Sequence, residues 1–330
     1  YNMNINEIHT LEIGLINKCT LSCPLCLRND KVLMGRLKKN ESLDWQVLRN
    51  FLDTLVNLER VVLMGAVSEP TLYPEFFELI KYLKCRNLKV RLCTSGSTHD
   101  EAWWAKLGPM LDENDITRFP VDGSTQELHS KYRRGSVLND VLKYHAAFKS
   151  ASACTTILQH IIFQYNEHDK DNIRDIYFKE NFDLLEMSPC YEPNLNMKNV
   201  EKDGIIPIKT LFNYQRLKNQ AVNNKPKIWK GCPEARDNAA YLGHRGLLVP
   251  CNEQEDAHFK MDTFVNIYDN SIDEVIEYLN VILNGINTDD TCLRSCTEMG
   301  QRECFIFPIT QYNKVGDKYE LIDFRECMKR

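Results

Sequence analysis

HTLEIGLINKCTLSCPLC, residues 9–26, runs an apolar, strand-like stretch straight into three cysteines. Cys19, Cys23 and Cys26 follow the spacing C-x3-C-x2-C, and Pro24 helps to fix the turn between the last two. Thiolates so spaced can face one point from a tight loop. Structural zinc closes its shell with four protein ligands, and apart from His9, upstream in the strand, no further Cys or His lies within 50 residues. A 4Fe–4S cluster can be held by three cysteines if one iron keeps an exogenous ligand. The spacing therefore favours iron–sulfur over zinc.

Outward from this loop, β-rich runs alternate with helical stretches up to about residue 190. Strands are expected at 11–17, 60–65, 89–94, 116–121, 155–165 and 182–187, and helices at 42–55, 74–84, 140–151 and 170–180. Such alternation implies an α/β fold with a parallel sheet of βαβ units, open or partly closed. In these sheets chemistry sits in the loops after the carboxyl ends of the strands, where the cysteine loop falls. The alternation then stops. Residues 191–230 read as a connector, and 231–330 as a small, cysteine-rich, loop-rich domain with a hairpin at 239–251 and a helix at 271–285.

The chain has 330 residues, 43% of them hydrophobic, and a formal net charge of −5. That balance argues against nucleic-acid binding. No apolar run reaches the ~18–20 residues a membrane span needs, and the first residues lack the layout of a signal peptide. A cytoplasmic protein is expected. Its 13 cysteines then read as metal ligands or catalytic groups before disulfides. Cys85, Cys93 and Cys154 stand singly in apolar runs and are expected to be buried thiols. Trp103 and Trp104 read as packing residues, and His244 as a surface residue of the hairpin.

The trio and the motifs that follow it resemble the radical S-adenosylmethionine (SAM) superfamily. MGAVSEPTLYPEF (64–76) is similar to that family's Gly-Glu-Pro segment, CTSG (93–96) to its Thr-Asn-Gly, and PVDGSTQELHSKYRRG (120–135) to its Ser-x-Asp-Gly followed by His-x-x-Tyr-Arg. FQYNEHD (163–169) follows the fifth strand. The resemblance implies a partial (β/α)6 TIM-like barrel in which Cys19, Cys23 and Cys26 bind the SAM cluster. It also implies reductive cleavage of SAM to a 5′-deoxyadenosyl radical, which abstracts hydrogen from an unactivated C–H bond. Glu69 is expected at the SAM amino group, assisted by the backbone from Gly65 to Ser68, and Arg133 at the carboxylate with Arg134 as fallback. Ser95 and Asp122 are expected near the ribose, or else as turn residues. The sequence departs from the family at Leu25, where an aromatic residue is usual, at Ser95 and at Pro120, which offers neither hydroxyl nor N–H.

Cys232-x13-Gly246-x4-Cys251 resembles the opening of the SPASM auxiliary-cluster domain, and Cys292, Cys296, Cys304 and Cys327 a looser version of its remainder. Two readings follow. In a shorter "twitch" version, Cys232 and Cys251 join two later cysteines around one cluster. In the full version the last four cysteines hold an outer cluster, while Cys232 and Cys251 hold an inner one completed by Cys190, Glu234, His244 or substrate. One auxiliary 4Fe–4S cluster is expected, with room for a second, and zinc across the last four is the blander alternative. The resemblance further implies an electron donor such as flavodoxin or ferredoxin.

The expected reaction is oxidation, cross-linking or epimerisation of a ribosomally made peptide. The alternatives are oxidation or epimerisation of a carbohydrate or other small-molecule alcohol and, last, nucleic-acid modification. The first strand begins too early for an N-terminal leader-recognition domain, which weakens the peptide reading. Asn252 follows Cys251 where sulfatase-maturing relatives have Asp. An amide is no general base, which leaves Glu253 as the candidate proton acceptor.

Overall fold

A computed structural model describes residues 3–26, 28, 41–64, 67–190, 205, 238–250, 265–285, 310–315 and 318–322. In chain order the elements are β1 (Thr10–Ile13), α1 (Trp45–Thr54), β2 (Arg60–Leu63), α2 (Phe76–Cys85), β3 (Lys89–Cys93), α3 (Glu101–Leu107), β4 (Ile116–Pro120) and α4 (Gln126–Tyr132). They continue with α5 (Leu138–Ala151), β5 (Thr155–Ile162), α6 (Lys170–Lys179), β6 (Leu184–Pro189), β7 (Ala239–Leu242), β8 (Leu248–Val249), α7 (Ile272–Gly285), β9 (Thr310–Val315) and β10 (Lys318–Ile322). The fold is α/β, with β1 to β6 separated by helices as the alternation predicts.

Two compact units divide the chain. One comprises residues 1–19, 26–93 and 220–304, the other 20–25, 94–219 and 305–330. In the first, β3, β2 and β1 lie side by side in parallel, with Leu11 opposite Val61 and Val61 opposite Val90. Alternate residues point to opposite faces of a strand, so Leu11, Ile13, Val61, Leu63, Val90 and Leu92 are all fully buried. The apolar stripes of α1 (Leu48, Phe51, Leu52) and α2 (Phe76, Leu79, Ile80, Leu83) add to this core. β7 pairs with β1 in parallel, Leu11 opposite Ala240, and only then turns back into β8. Gly246 makes that turn at φ +80°, a conformation open to glycine at no steric cost.

The second unit places β4, β5 and β6 in parallel, Phe119 opposite Leu158 and Leu158 opposite Leu185. Its core is aromatic. Phe119 packs at 5.2 Å from Trp104, 6.0 Å from Phe148 and 5.3 Å from His145, and His145 stacks on Phe182. Burial drives the His145 pKa down to about 3, so the ring is neutral. β9 joins antiparallel to β6 and carries β10 as an antiparallel partner.

Several expectations are corrected. The strand expected at 11–17 ends at Ile13, because residues 15–17 leave the parallel ladder to pair with 41–43. Leu43 N–H donates to the Leu15 carbonyl, and Asn17 N–H to that of Glu41, both at 2.9 Å. His244 is 2% exposed rather than a surface residue, since its hairpin is built onto β1 and packs Tyr241, Leu247 and Val249 against Tyr278 and Ile282 of α7. Cys85 is exposed, at the last turn of α2, and only Cys154 of the three single cysteines is fully buried. Strands β9 and β10 occupy a segment expected to be loop.

Candidate active site

In the first unit the site region is the chain that follows β1. Cys19 is partly buried and directly follows Lys18, whose carbonyl accepts the Glu69 N–H at 2.8 Å. Glu69 is 2% exposed, and its Oε1 accepts from Thr71 Oγ1 at 2.7 Å and from Thr71 N at 3.3 Å, capping a short 3-10 turn. Arg28, just beyond Cys26, donates from Nη1 to the carbonyls of Asn17 and Val67, the latter at 2.7 Å. One guanidinium thus ties the loop after β1 to the loop after β2. Ser68 Oγ is buried and has no hydrogen-bond partner among the described residues.

In the second unit the site is built around Asp122, fully buried at the end of β4. Its Oδ2 accepts from Arg133 Nε and its Oδ1 from Ile161 N, both at 2.6 Å. Its carbonyl accepts from Asn166 Nδ2 at 2.9 Å and Tyr165 Oη at 3.3 Å, so FQYNEHD is the strap that supports the β4 loop. Ser124 adds two bonds to the Asp169 carboxylate, at 2.5 and 2.6 Å.

Arg133 lies over the Tyr132 ring at 5.1 Å. Burial opposes its charge, but Asp122 beside it, with Tyr132 and Cys23, more than compensates and raises its pKa. Nε is the one side-chain donor it uses among the described residues, which leaves the two Nη groups of the fork available to an anion.

The cysteine loop meets this arrangement. Ser22 N–H donates to the Arg134 carbonyl at 3.0 Å, and the buried Cys23 lies within the electrostatic reach of Arg133. Leu25 is buried in a cluster with Phe163, Tyr165, Cys190 and Ile205, so it serves as packing in this unit. Ser95, 8% exposed, accepts the Ser97 N–H on Oγ at 3.3 Å. Arg28, Ser97 and Ser136 carry no signal in the sequence, whereas His129 is the histidine of the His-x-x-Tyr-Arg stretch.

Gly65, Cys232, Cys251, Glu253, Cys292, Cys296, Cys304 and Cys327 lie outside the described residues, as do Glu234 and Asn252. Among the described residues no group of three or more His, Cys, Asp or Glu side chains is gathered closely enough to hold a metal ion. The donor set in the loop after β1 nevertheless suits a 4Fe–4S cluster that keeps one iron open. It has three thiols, its sequence offers no fourth Cys or His, and the Arg133 charge acts on Cys23 to offset thiolate charge. The buried, unpartnered Ser68 Oγ fits a polar ligand beside it. Among the described residues no helix is long and apolar enough to cross a membrane.

The fold is that of solved proteins that bind SAM. The chain is similar to anSMEcpe with bound AdoMet, at 18% identity over 87% of this chain and 88% of that one, with a TM-score of 0.56. It is also similar to Streptococcus suis SuiB bound to S-adenosylmethionine (14% identity, 85% of this chain and 68% of that one, TM-score 0.58). SuiB bound to its precursor peptide SuiA gives 13% identity, 85% and 67% coverage, and a TM-score of 0.57. No curated protein sequence matches significantly. Residues 13–176 match the family described as Radical SAM superfamily, so the chain carries a radical SAM domain.

Proposed function

We propose that this protein uses SAM to abstract hydrogen from an unactivated C–H bond of a ribosomally made peptide, for oxidation, cross-linking or epimerisation. The observation that carries the reading is that the Cys23 loop is tied to the 133–134 turn, with the Arg133 charge acting on Cys23, inside a domain of this family. A 4Fe–4S cluster on Cys19, Cys23 and Cys26 would supply the electron that splits SAM into methionine and a 5′-deoxyadenosyl radical.

The protein's own part is placement. Arg133 offers its Nη groups to the SAM carboxylate in a planar, bidentate grip. Asp122 acts through Arg133, since both of its oxygens already take protein donors. Glu69 is assigned to the ammonium group, Gly65 and Ser68 to the same segment, and Ser95 to the ribose. The apolar cluster around Leu25 keeps water from this side of the loop.

Cys232, Cys251, Cys292, Cys296, Cys304 and Cys327 are assigned to one auxiliary cluster, or two with an outside ligand. Glu253 is the proposed proton acceptor, and a reduced flavodoxin or ferredoxin the electron source. The peptide substrate is supported by the likeness to SuiB, which binds a precursor peptide.

The test is anaerobic reconstitution, reduction with dithionite and assay for 5′-deoxyadenosine, with Cys23→Ala beside the parent. Product from the parent alone is expected, and absence of product from the parent refutes SAM cleavage. Co-expression with short peptides encoded beside the gene, read by mass spectrometry, then tests the substrate. A two-dalton loss or an inverted residue is expected. Unchanged peptides, with a sugar alcohol oxidised instead, would transfer the chemistry to carbohydrates.

A further inference from the structure

One directional hydrogen-bond chain joins three loops of the second unit. The Asp122 N–H donates to His129 Nδ1 at 3.2 Å, so Nδ1 must offer a lone pair and the ring hydrogen sits on Nε2. Nε2 therefore donates to Ser136 Oγ, 2.8 Å away. Ser136 and Ser97 share a hydroxyl–hydroxyl bond of 2.7 Å. The single hydroxyl hydrogen of Ser97 goes to the Ser95 carbonyl at 3.1 Å, so Ser136 is the donor in the pair. Every hydrogen in the chain has one direction, from Asp122 to Ser95.

The same turn is fastened at its other side. Ser136 N–H donates to the Arg133 carbonyl at 2.9 Å, and its own carbonyl accepts from Gln126 Nε2 at 3.0 Å. Ser22, beside Cys23, holds the Arg134 carbonyl. His129 is fully buried and Ser136 is 3% exposed, and each spends its polar atoms on protein partners. Apolar side chains could fill such a volume without a satisfied polar network, but they would leave the loops free to slide.

We propose that His129 and Ser136 are positioning residues that hold Ser95, the Asp122–Arg133 pair and the Cys23 loop in the one arrangement that binds SAM. This rests on the assignment of Arg133 and Ser95 to the SAM site. His129 sets the β4 loop, Ser136 transmits its position to Ser97 and Ser95, and the 133–136 turn presents the Arg133 fork beside the cysteines.

The experiment measures SAM dissociation constants of the reconstituted protein by equilibrium dialysis, with iron content and thermal unfolding midpoints alongside. Ser136→Ala is expected to weaken SAM binding about fivefold to tenfold, the size of one lost buried hydrogen bond. His129→Leu should weaken it more. His129→Gln, whose amide can donate at the Nε2 position but leaves the Asp122 N–H without its Nδ1 acceptor, should weaken binding less than His129→Leu. His145→Gln, in the aromatic core outside the chain, should lower the midpoint without changing SAM affinity. In metal-free protein, amide exchange at Ser22 and Ser97 should quicken in Ser136→Ala and not in His145→Gln.

Parent-like SAM affinity in both Ser136→Ala and His129→Leu overturns the proposal. So does a loss of affinity that simply follows the unfolding midpoint across all four variants, His145→Gln included. A parent that holds iron yet does not bind SAM brings down the SAM-site assignment itself, and this inference with it.

Discussion

Burying the Asp122 carboxylate at 0% exposure would be prohibitive without partners. Arg133 Nε and Ile161 N supply them, which makes the pair a unit whose halves cannot be removed separately. Asp122→Asn should lower stability by about 3 kcal/mol or more, because the Arg133 charge would stay mostly buried without its counterion. Urea unfolding checks this. A second residue-scale prediction concerns pH. Burial pushes His129 down to about 4 and His145 to about 3, both well below the 6.5 of a solvated imidazole. The unfolded chain therefore binds more protons than the folded one between these values. Stability is retained in full above about pH 6.5 and falls as pH drops through 6 and 5 towards 4. Unfolding midpoints measured from pH 8 to 5 should fall, and His145→Gln should make that fall shallower. The Asp-Gly of residues 122–123 and the basic pair 133–134 were legible in the sequence as a motif. That Asp122 spends its charge on Arg133 was not, since eleven positions of chain separate them and only the turn after α4 brings the guanidinium back.

At the scale of elements, α4 shows what local sequence leaves out. Its seven residues, QELHSKY, are too few for a helix to persist alone. Its apolar positions are only Leu128 and Tyr132, and its fully buried member is a histidine. Thr125 caps it by accepting the Leu128 N–H at 3.2 Å, so Thr125→Ala should cost about 1 kcal/mol while Thr125→Ser costs little. Gly123 sits where any Cβ would overlap the His129 backbone nitrogen and Leu128. Gly123→Ala should therefore displace α4, lower the unfolding midpoint by several degrees and weaken SAM binding. Thermal unfolding and equilibrium dialysis check both variants. By contrast, β2, β3, β4 and β6 begin or end within two residues of the expected bounds. In β2, β3 and β4 buried residues alternate with more exposed ones, which is a local signal.

For the molecule as a whole, the C-terminal third does not lie where its order along the chain suggests. β7 pairs with β1, and β9 pairs with β6, so it lends strands to both units. The C-terminal cysteines assigned to auxiliary chemistry are tested by replacing Cys19, Cys23 and Cys26 together with Ala and measuring iron and zinc after anaerobic reconstitution. Retention of about four or eight irons per chain is expected, matching one or two further 4Fe–4S clusters. Loss of all iron, or zinc alone, would make that region a structural staple.

Two determinants separate cleanly. The sequence by itself determined the α/β alternation, the cysteine loop after the first strand and the Asp-Gly and Arg motifs, because strand periodicity, turn residues and ligand spacing are encoded within a few positions. Tertiary structure alone decided that β7 adds to β1, that His244 is buried, and that His129 and Ser136 link Asp122 to Ser95. Those outcomes depend on hydrogen bonds between residues far apart in the chain, whose partners are chosen by packing and by the cost of leaving buried polar groups unpaired.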